Sequence, residues 1–247
     1  MANKTAFQIQ TRRDAIIDRR PIEVDTNFDL PEVPVMPETL LLLDLLVQES
    51  CVDLRQMSYL VLADIGASLQ ILRLAGREYG AAEDRPTRIA DCISDLGLRP
   101  CLKALSAQTL SRHGHEIAAF WDHAREIADQ AKLVAQEMVD VDPEEAYLVA
   151  LFHMLGSVPA LLGWREPAAT DHSLAGLRLA KRWSLPNCVI EFFGEMQLPG
   201  YDGRWLTIVR KAHARANRTP IRCPFEGNIR PQLCREGRSR LDPEPSR

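Results

Sequence analysis

Between residues 115 and 140 an apolar side chain returns every three or four positions: Ile117, Phe120, Trp121, Ala124, Ile127, Ala128, Ala131, Val134, Ala135 and Met138. That spacing places all of them on one stripe of a long amphipathic helix, which other helices or a sheet must cover. Asp142-Pro143-Glu144-Glu145 follows. It supplies a capping side chain, a first-turn proline and two acids facing the positive end of the next helix dipole. The segment opened there, residues 144–164, is the most apolar in the chain, and Gly156, Pro159 and Gly163 break it into a helix and a shorter piece. No stretch sustains a two-residue alternation, so the chain reads as all-α.

The remaining segments agree. Residues 1–27 are polar, with arginine pairs at Arg12-Arg13 and Arg19-Arg20, and are expected to form a flexible lead in which a short helix could occupy 11–18. Pro31, Pro34 and Pro37 then recur at three-residue spacing. Each fixes φ, which predicts an extended segment laid against another surface. The helix predicted over 38–49 is apolar on nearly every side and is expected to be buried. Asp53 with Gln56 predicts a capped helix ending at Leu62, and Asp64 caps another over 65–79. A polar loop over 80–86 precedes a helix at 87–96, where Gly97 can adopt positive φ, and Pro100 sits in the first turn of a helix reaching about 112. Asp171 caps a helix to about 183, Pro186 opens one to about 197, and 203–217 carries the last, with Trp205, Ile208, Val209 and Ala212 inward. Residues 218–247 are rich in Pro, Arg and Gly with few large apolar side chains, so a mobile or surface-draped tail is expected.

Composition narrows the function classes. A net charge of -4 over 247 residues gives no electrostatic reason to bind nucleic acid or an anionic membrane. The tail arginines are interleaved with acids and a single aromatic, Phe225, which argues against a nucleic-acid arm. No uncharged apolar run approaches the roughly 20 residues of a membrane span, and the first residues lack a secretory signal pattern. The expected compartment is cytoplasmic. The six cysteines form no CxxC pair, which argues against zinc ribbons and thioredoxin-type chemistry. Cys92, Cys101 and Cys188 fall in helical patterns and read as small buried hydrophobes.

From Leu30 onward the ordered set of motifs resembles the HDOD family (HD-related output domain), a bacterial signalling relative of the HD phosphohydrolases. The carrying residues are Leu30-Pro31, Pro34 and Pro37 before the first helix, then Asp64 with the Leu69-to-Ala75 run. They continue with the stretch from Ile89 to Leu98, His123 within the long helix, Pro143-Glu-Glu-Ala-Tyr-Leu148, Leu151-Phe-His-Met-Leu-Gly156, and His172 with Trp183 and Pro186. The resemblance covers residues 30 to about 217. It implies an all-helical, two-part HDOD-like domain over 28–217, with an N-terminal helical half (28–112) packed on an HD-like half (113–217).

HD hydrolases hold one or two divalent cations with a first histidine, an adjacent His-Asp pair and a distal aspartate, and the metal activates water against a phosphoester. His123 and His153 match the two histidine positions. Met154 stands where the pair needs its aspartate, and a thioether is a poor ligand for hard cations. No acid stands near the distal position, where His213 is the available substitute. No catalytic, cofactor or metal site is therefore assigned. His123, His153, Met154, His172 and His213 remain as vestigial positions that would serve if any ligand bound.

The resemblance thus implies a non-catalytic regulatory module in bacterial signal transduction, working through a protein partner in trans or as a homo-oligomer. Its binding surface is expected between the two halves or on the proline-rich segment. Two alternatives stay open. One is a phosphohydrolase with an altered metal site, or a reduced zinc site of His123, His153 and His172. The other is a nucleotide-type sensor whose concave pocket is lined by His123, His153 and Met154. His113 and His115 flank a glycine and read as solvated.

Overall fold

A computed structural model describes residues 33–48, 52–80, 86–106, 114–164 and 171–216. Among the described residues there is no strand. The helices are α1 (Pro37–Val47), α2 (Leu54–Leu62), α3 (Ile65–Tyr79), α4 (Ile89–Leu96), α5 (Leu98–Ser106), α6 (Gly114–Gln136) and α7 (Pro143–Leu151). After a 3₁₀ turn (Leu155–Ser157) come α8 (Val158–Leu161), α9 (His172–Arg182), α10 (Asn187–Met196) and α11 (Arg204–Arg215). The lead at 1–27, the tail at 218–247, the polar loop's 81–85, Cys51, Cys223, Cys234 and His113 lie outside the described residues.

Local chemistry sets four of the helix starts. Asp53, Asp64, Asp142 and Asp171 each occupy an N-cap, where the side chain accepts from a backbone N–H of the first turn: Arg55, Ala67, Glu144 and Glu145, and Ser173 respectively. Each such cap is worth about 1 kcal/mol. Gly97 ends α4 at φ 82°, a left-handed conformation in which a side chain would be strained.

The apolar stripe of α6 is buried from Ile117 and Phe120 through to Ala135, and α6 packs along α7 and α11. In the first half α2 packs on α1, α3 and α4, while α3 also rests on α5. Several contacts cross between the halves. Trp121 Nε1 of α6 donates to Asp64 Oδ1 at 2.9 Å, the Tyr147 hydroxyl of α7 donates to the Leu62 carbonyl at 3.1 Å, and the Arg73 guanidinium lies 5.7 Å over the Trp183 ring. Arg88 pairs with Asp142 at the surface, where such a bridge contributes little.

Residues 33–36 of the proline-rich segment lie on α3. Val33 and Val35 are fully buried, each contributing at most about 1.5–3 kcal/mol. Asp64 Oδ2 accepts from Met36 N at 2.7 Å. The segment comes so close that a Cβ on Gly66 would stand 2.0 Å from the Pro34 carbonyl oxygen, so no other residue is accommodated there without backbone movement.

The expectation for α1 is corrected. Only Leu43 and Leu46 are buried; Leu41, Leu42 and Leu45 are 61%, 48% and 54% exposed. A helix apolar on all sides buries them all only when surrounded, and α1 packs chiefly on α2 at the edge of the first half. Among the described residues no single helix is long and apolar enough to cross a membrane; α2 and α3 reach that length only as a pair bent by 114°.

Candidate functional site: a buried histidine cluster

His123 sits inside the α6 stripe rather than at its edge, because it falls three residues after Phe120 and four before Ile127. It is 2% exposed. His153 is fully buried, just past α7, where the chain leaves the helix through Phe152 (φ -95°, ψ 5°) and enters the 3₁₀ turn behind Met154. His213 is half-buried on α11. One ring nitrogen from each of the three lies within 4.8 Å of the others, and the ring centroids are 5.4, 5.3 and 4.9 Å apart.

The hydrogen bonds define the state of His153. Its Nδ1 is 2.6 Å from the Ala150 carbonyl oxygen, which can only accept, so Nδ1 carries the proton. In the neutral ring Nε2 then bears a lone pair. That atom is 3.2 Å from His213 Nε2. Both ring nitrogens of His123 are buried without a hydrogen-bond partner, an arrangement that ordinarily costs about 1–3 kcal/mol. Burial holds His123 and His213 down to about 4. It holds His153 well below the usual histidine range, with the neighbouring His213 and His123 adding to the effect. All three rings are therefore neutral at pH 7, the form in which imidazole ligates metals.

His172 takes a different part. At the start of α9 it donates from Nε2 to the His153 carbonyl at 3.2 Å, and its Nδ1 lies 3.0 Å from Ser157 Oγ. Because Nε2 faces a carbonyl, Nδ1 accepts from the serine. His172 thus fastens α9 to the 3₁₀ turn, and the fit is close enough that a Cβ on Gly156 would stand 2.0 Å from the His172 carbonyl oxygen. The trio of His123, His153 and His172 is corrected accordingly: His213 is the third member. Met154 is 2% exposed and belongs to the apolar core. Buried to this degree, His123, His153 and Met154 offer little surface to a nucleotide-sized ligand.

One residue that positions the site is absent from the sequence reading. The N-cap of α11 is Gly203, which has no side chain to cap with. Glu195 of α10 supplies the acceptor: its Oε2 takes the Leu206 N–H at 2.8 Å. Gly203 leaves room for that carboxylate, since a Cβ there would stand 2.0 Å from Glu195 Cδ. Burial pushes the Glu195 carboxyl up to about 7. At the other end of α11, Arg215 makes a two-pronged ion pair with Glu137 at 2.7 and 3.1 Å. His213 is thus carried by a helix held at both ends. The available signal was an acid inside the apolar stretch Asn187–Met196, followed by a helix start without a capping residue.

A second feature shares no residue with the cluster. A groove of about 540 Å³ between α1 and α2 is lined by Leu42, Leu45, Leu46, Tyr59 and Leu60 together with the polar Arg55 and Gln56. Leu54 and Tyr59, 42% and 75% exposed, extend the apolar surface beside it.

Comparison with known proteins places these features in context. The HDOD domain matches residues 33–169. Two structures of the MmoQ response regulator from Methylococcus capsulatus superpose with TM-scores of 0.59 and 0.60 at 20% and 19% identity. Each covers 74% of this chain, and the match spans 81% and 83% of the MmoQ chains. A virulence factor from Campylobacter jejuni, cj0248, superposes with a TM-score of 0.49 at 19% identity, covering 74% of both chains. No curated protein matches the chain in sequence.

Proposed function

The chain belongs to the HDOD domain family, and from that premise we propose that it is a non-catalytic, cytoplasmic module of bacterial signal transduction that acts by binding a protein partner. The observation that carries the reading is the composition of the histidine cluster. Where a phosphohydrolase places carboxylates, this chain has Met154 buried in the core and His213 facing His153. Hydrolytic sites of that class use carboxylates to hold hard cations such as Mn²⁺ and Mg²⁺, and three neutral imidazoles supply none of that negative charge. A signalling role is supported by the MmoQ likeness, since that protein is described as a response regulator. A binding role is supported by the exposed leucines of α1 and the groove they share with α2, which form a contiguous apolar surface of the kind that marks protein contacts.

Two measurements test the reading. Purified protein supplied with Mn²⁺ or Fe²⁺ is expected to leave phosphodiesters and cyclic dinucleotides intact; turnover that disappears in His153→Ala would establish an enzyme instead. Candidate signalling proteins from the same cell, co-expressed one at a time, are expected to co-purify with the wild type and not with Leu42→Glu/Leu45→Glu. Equal recovery by both would remove the α1–α2 surface from the reading.

A further inference from the structure

The histidine cluster has the donor chemistry of a transition-metal site. We propose that His123, His153 and His213 bind one zinc ion, or a similar borderline divalent metal, that ties α6, the turn after α7 and α11 together. Three observations on different elements converge on this. The first is distance. Two nitrogens each about 2.0–2.1 Å from a tetrahedral zinc must stand about 3.3 Å apart, and His153 Nε2 and His213 Nε2 are separated by 3.2 Å. The second is orientation. The bond from His153 Nδ1 to the Ala150 carbonyl is the outer-shell arrangement that fixes the tautomer of a metal-ligating histidine and turns its Nε2 toward the metal. The third is His123, 2% exposed with neither ring nitrogen hydrogen-bonded. A metal bond satisfies one of those nitrogens in a way the surrounding apolar side chains cannot.

The ligand set also selects the ion. Three imidazoles without a carboxylate suit zinc, copper or nickel, and offer little to magnesium, calcium or manganese, which prefer oxygen. Three protein ligands leave the fourth position of a tetrahedral ion to water, hydroxide or a small anion. The half-buried His213 marks the side from which ion and anion enter. Coordination requires His213 to carry its proton on Nδ1. The competing arrangement, in which His213 Nε2–H donates to His153, leaves His123 unsatisfied. The proposal uses none of the α1–α2 surface and so leaves the partner-binding role untouched, while it concerns the same histidines as the non-catalytic reading.

The test uses the full chain, stripped with EDTA, desalted, and titrated with zinc sulfate or with cobalt(II) chloride. One ion per chain is expected to be retained after desalting. Cobalt is expected to give the intense visible absorption of a tetrahedral site, and zinc to raise the unfolding temperature, because it binds the folded state selectively. His123→Leu and His213→Ala are expected to weaken zinc by more than the roughly 10–100-fold that loss of an outer-shell partner costs. His172→Asn is expected to retain it, and magnesium is expected to do nothing. Should His123→Leu fail to fold, His213→Ala on the half-exposed face of α11 remains decisive. The proposal is overturned by the absence of a retained ion, which leaves the cluster without a metal role. It is equally overturned by an ion retained undiminished in His213→Ala, which would place the metal on other histidines or on cysteines.

Discussion

Asp64 in the first half of the chain and His123 in the second are buried almost equally, at 1% and 2% exposure, yet their surroundings treat them in opposite ways. Asp64 is met by three donors, from Met36, Ala67 and Trp121, drawn from the proline-rich segment, its own helix and α6. His123 is met by two other rings and by no hydrogen bond. A satisfied buried carboxylate organises its neighbours, because each donor would be stranded without it. An unsatisfied buried imidazole is a liability in the isolated fold and makes sense where something else completes it.

The largest effect that tests this contrast is expected from Asp64→Ala. It removes a cap and strands the buried donors of Met36 and Trp121, so a loss of about 3–5 kcal/mol in urea unfolding is expected. A loss below about 1 kcal/mol would mean that water or a rearrangement replaces the carboxylate. Gly66→Ala attacks the same junction from the other side. With its Cβ 2.0 Å from the Pro34 oxygen, the proline-rich segment must lift from α3 and draw Met36 N away from Asp64. A loss of about 2–4 kcal/mol is expected, and it should be strongly sub-additive with Asp64→Ala in a double-mutant cycle.

Glu195 lies between the two extremes: it is buried and partly satisfied. Its carboxyl is raised to about 7 from the ordinary 4.5, so folding favours the protonated form. The stability it contributes is complete below about pH 4.5 and is lost as pH rises through about 7. Glu195→Gln keeps an oxygen for Leu206 N–H and removes the charge. The variant should match the wild type near pH 4 and exceed it by on the order of 1–3 kcal/mol at pH 8. The same difference at both pH values would show that the group does not titrate in this range.

The smallest effect is expected at His123. In EDTA, His123→Leu removes an unsatisfied polar group at similar volume, and should be neutral or stabilising by about 1 kcal/mol. A loss above about 2 kcal/mol would put His123 in the same class as Asp64 and erase the contrast.

What could be read from the sequence divides by the range of the contact. Asp53, Asp142 and Asp171 bond backbone groups two or three residues away, so their helix starts were visible in the chain itself. The cap at Asp64 was visible for the same reason; its bonds to Met36 and Trp121, 28 and 57 residues distant, were not. The exposure of α1 was illegible because periodicity reports which residues could be buried and is silent on how many neighbours a helix acquires. The pairing of His123 with His153 followed from the resemblance. Choosing His213 over His172 as the third ring depended on how α11 docks on α6, α7 and α10, through contacts between residues far apart in the sequence.

The borrowed cap makes the start of α11 depend on another helix. Helices α2, α3, α7 and α9 hold their capping acceptors in their own first residues, so each can be nucleated as soon as its segment is synthesised. The N-terminus of α11 is completed by a carboxylate from the preceding helix, which must already be folded and docked. Capping of α11 is therefore coupled to the packing of α10, and the docked α11 brings the third histidine to the other two. The cluster joins side chains from three separate stretches of the chain, so its geometry depends on all of them being docked at once.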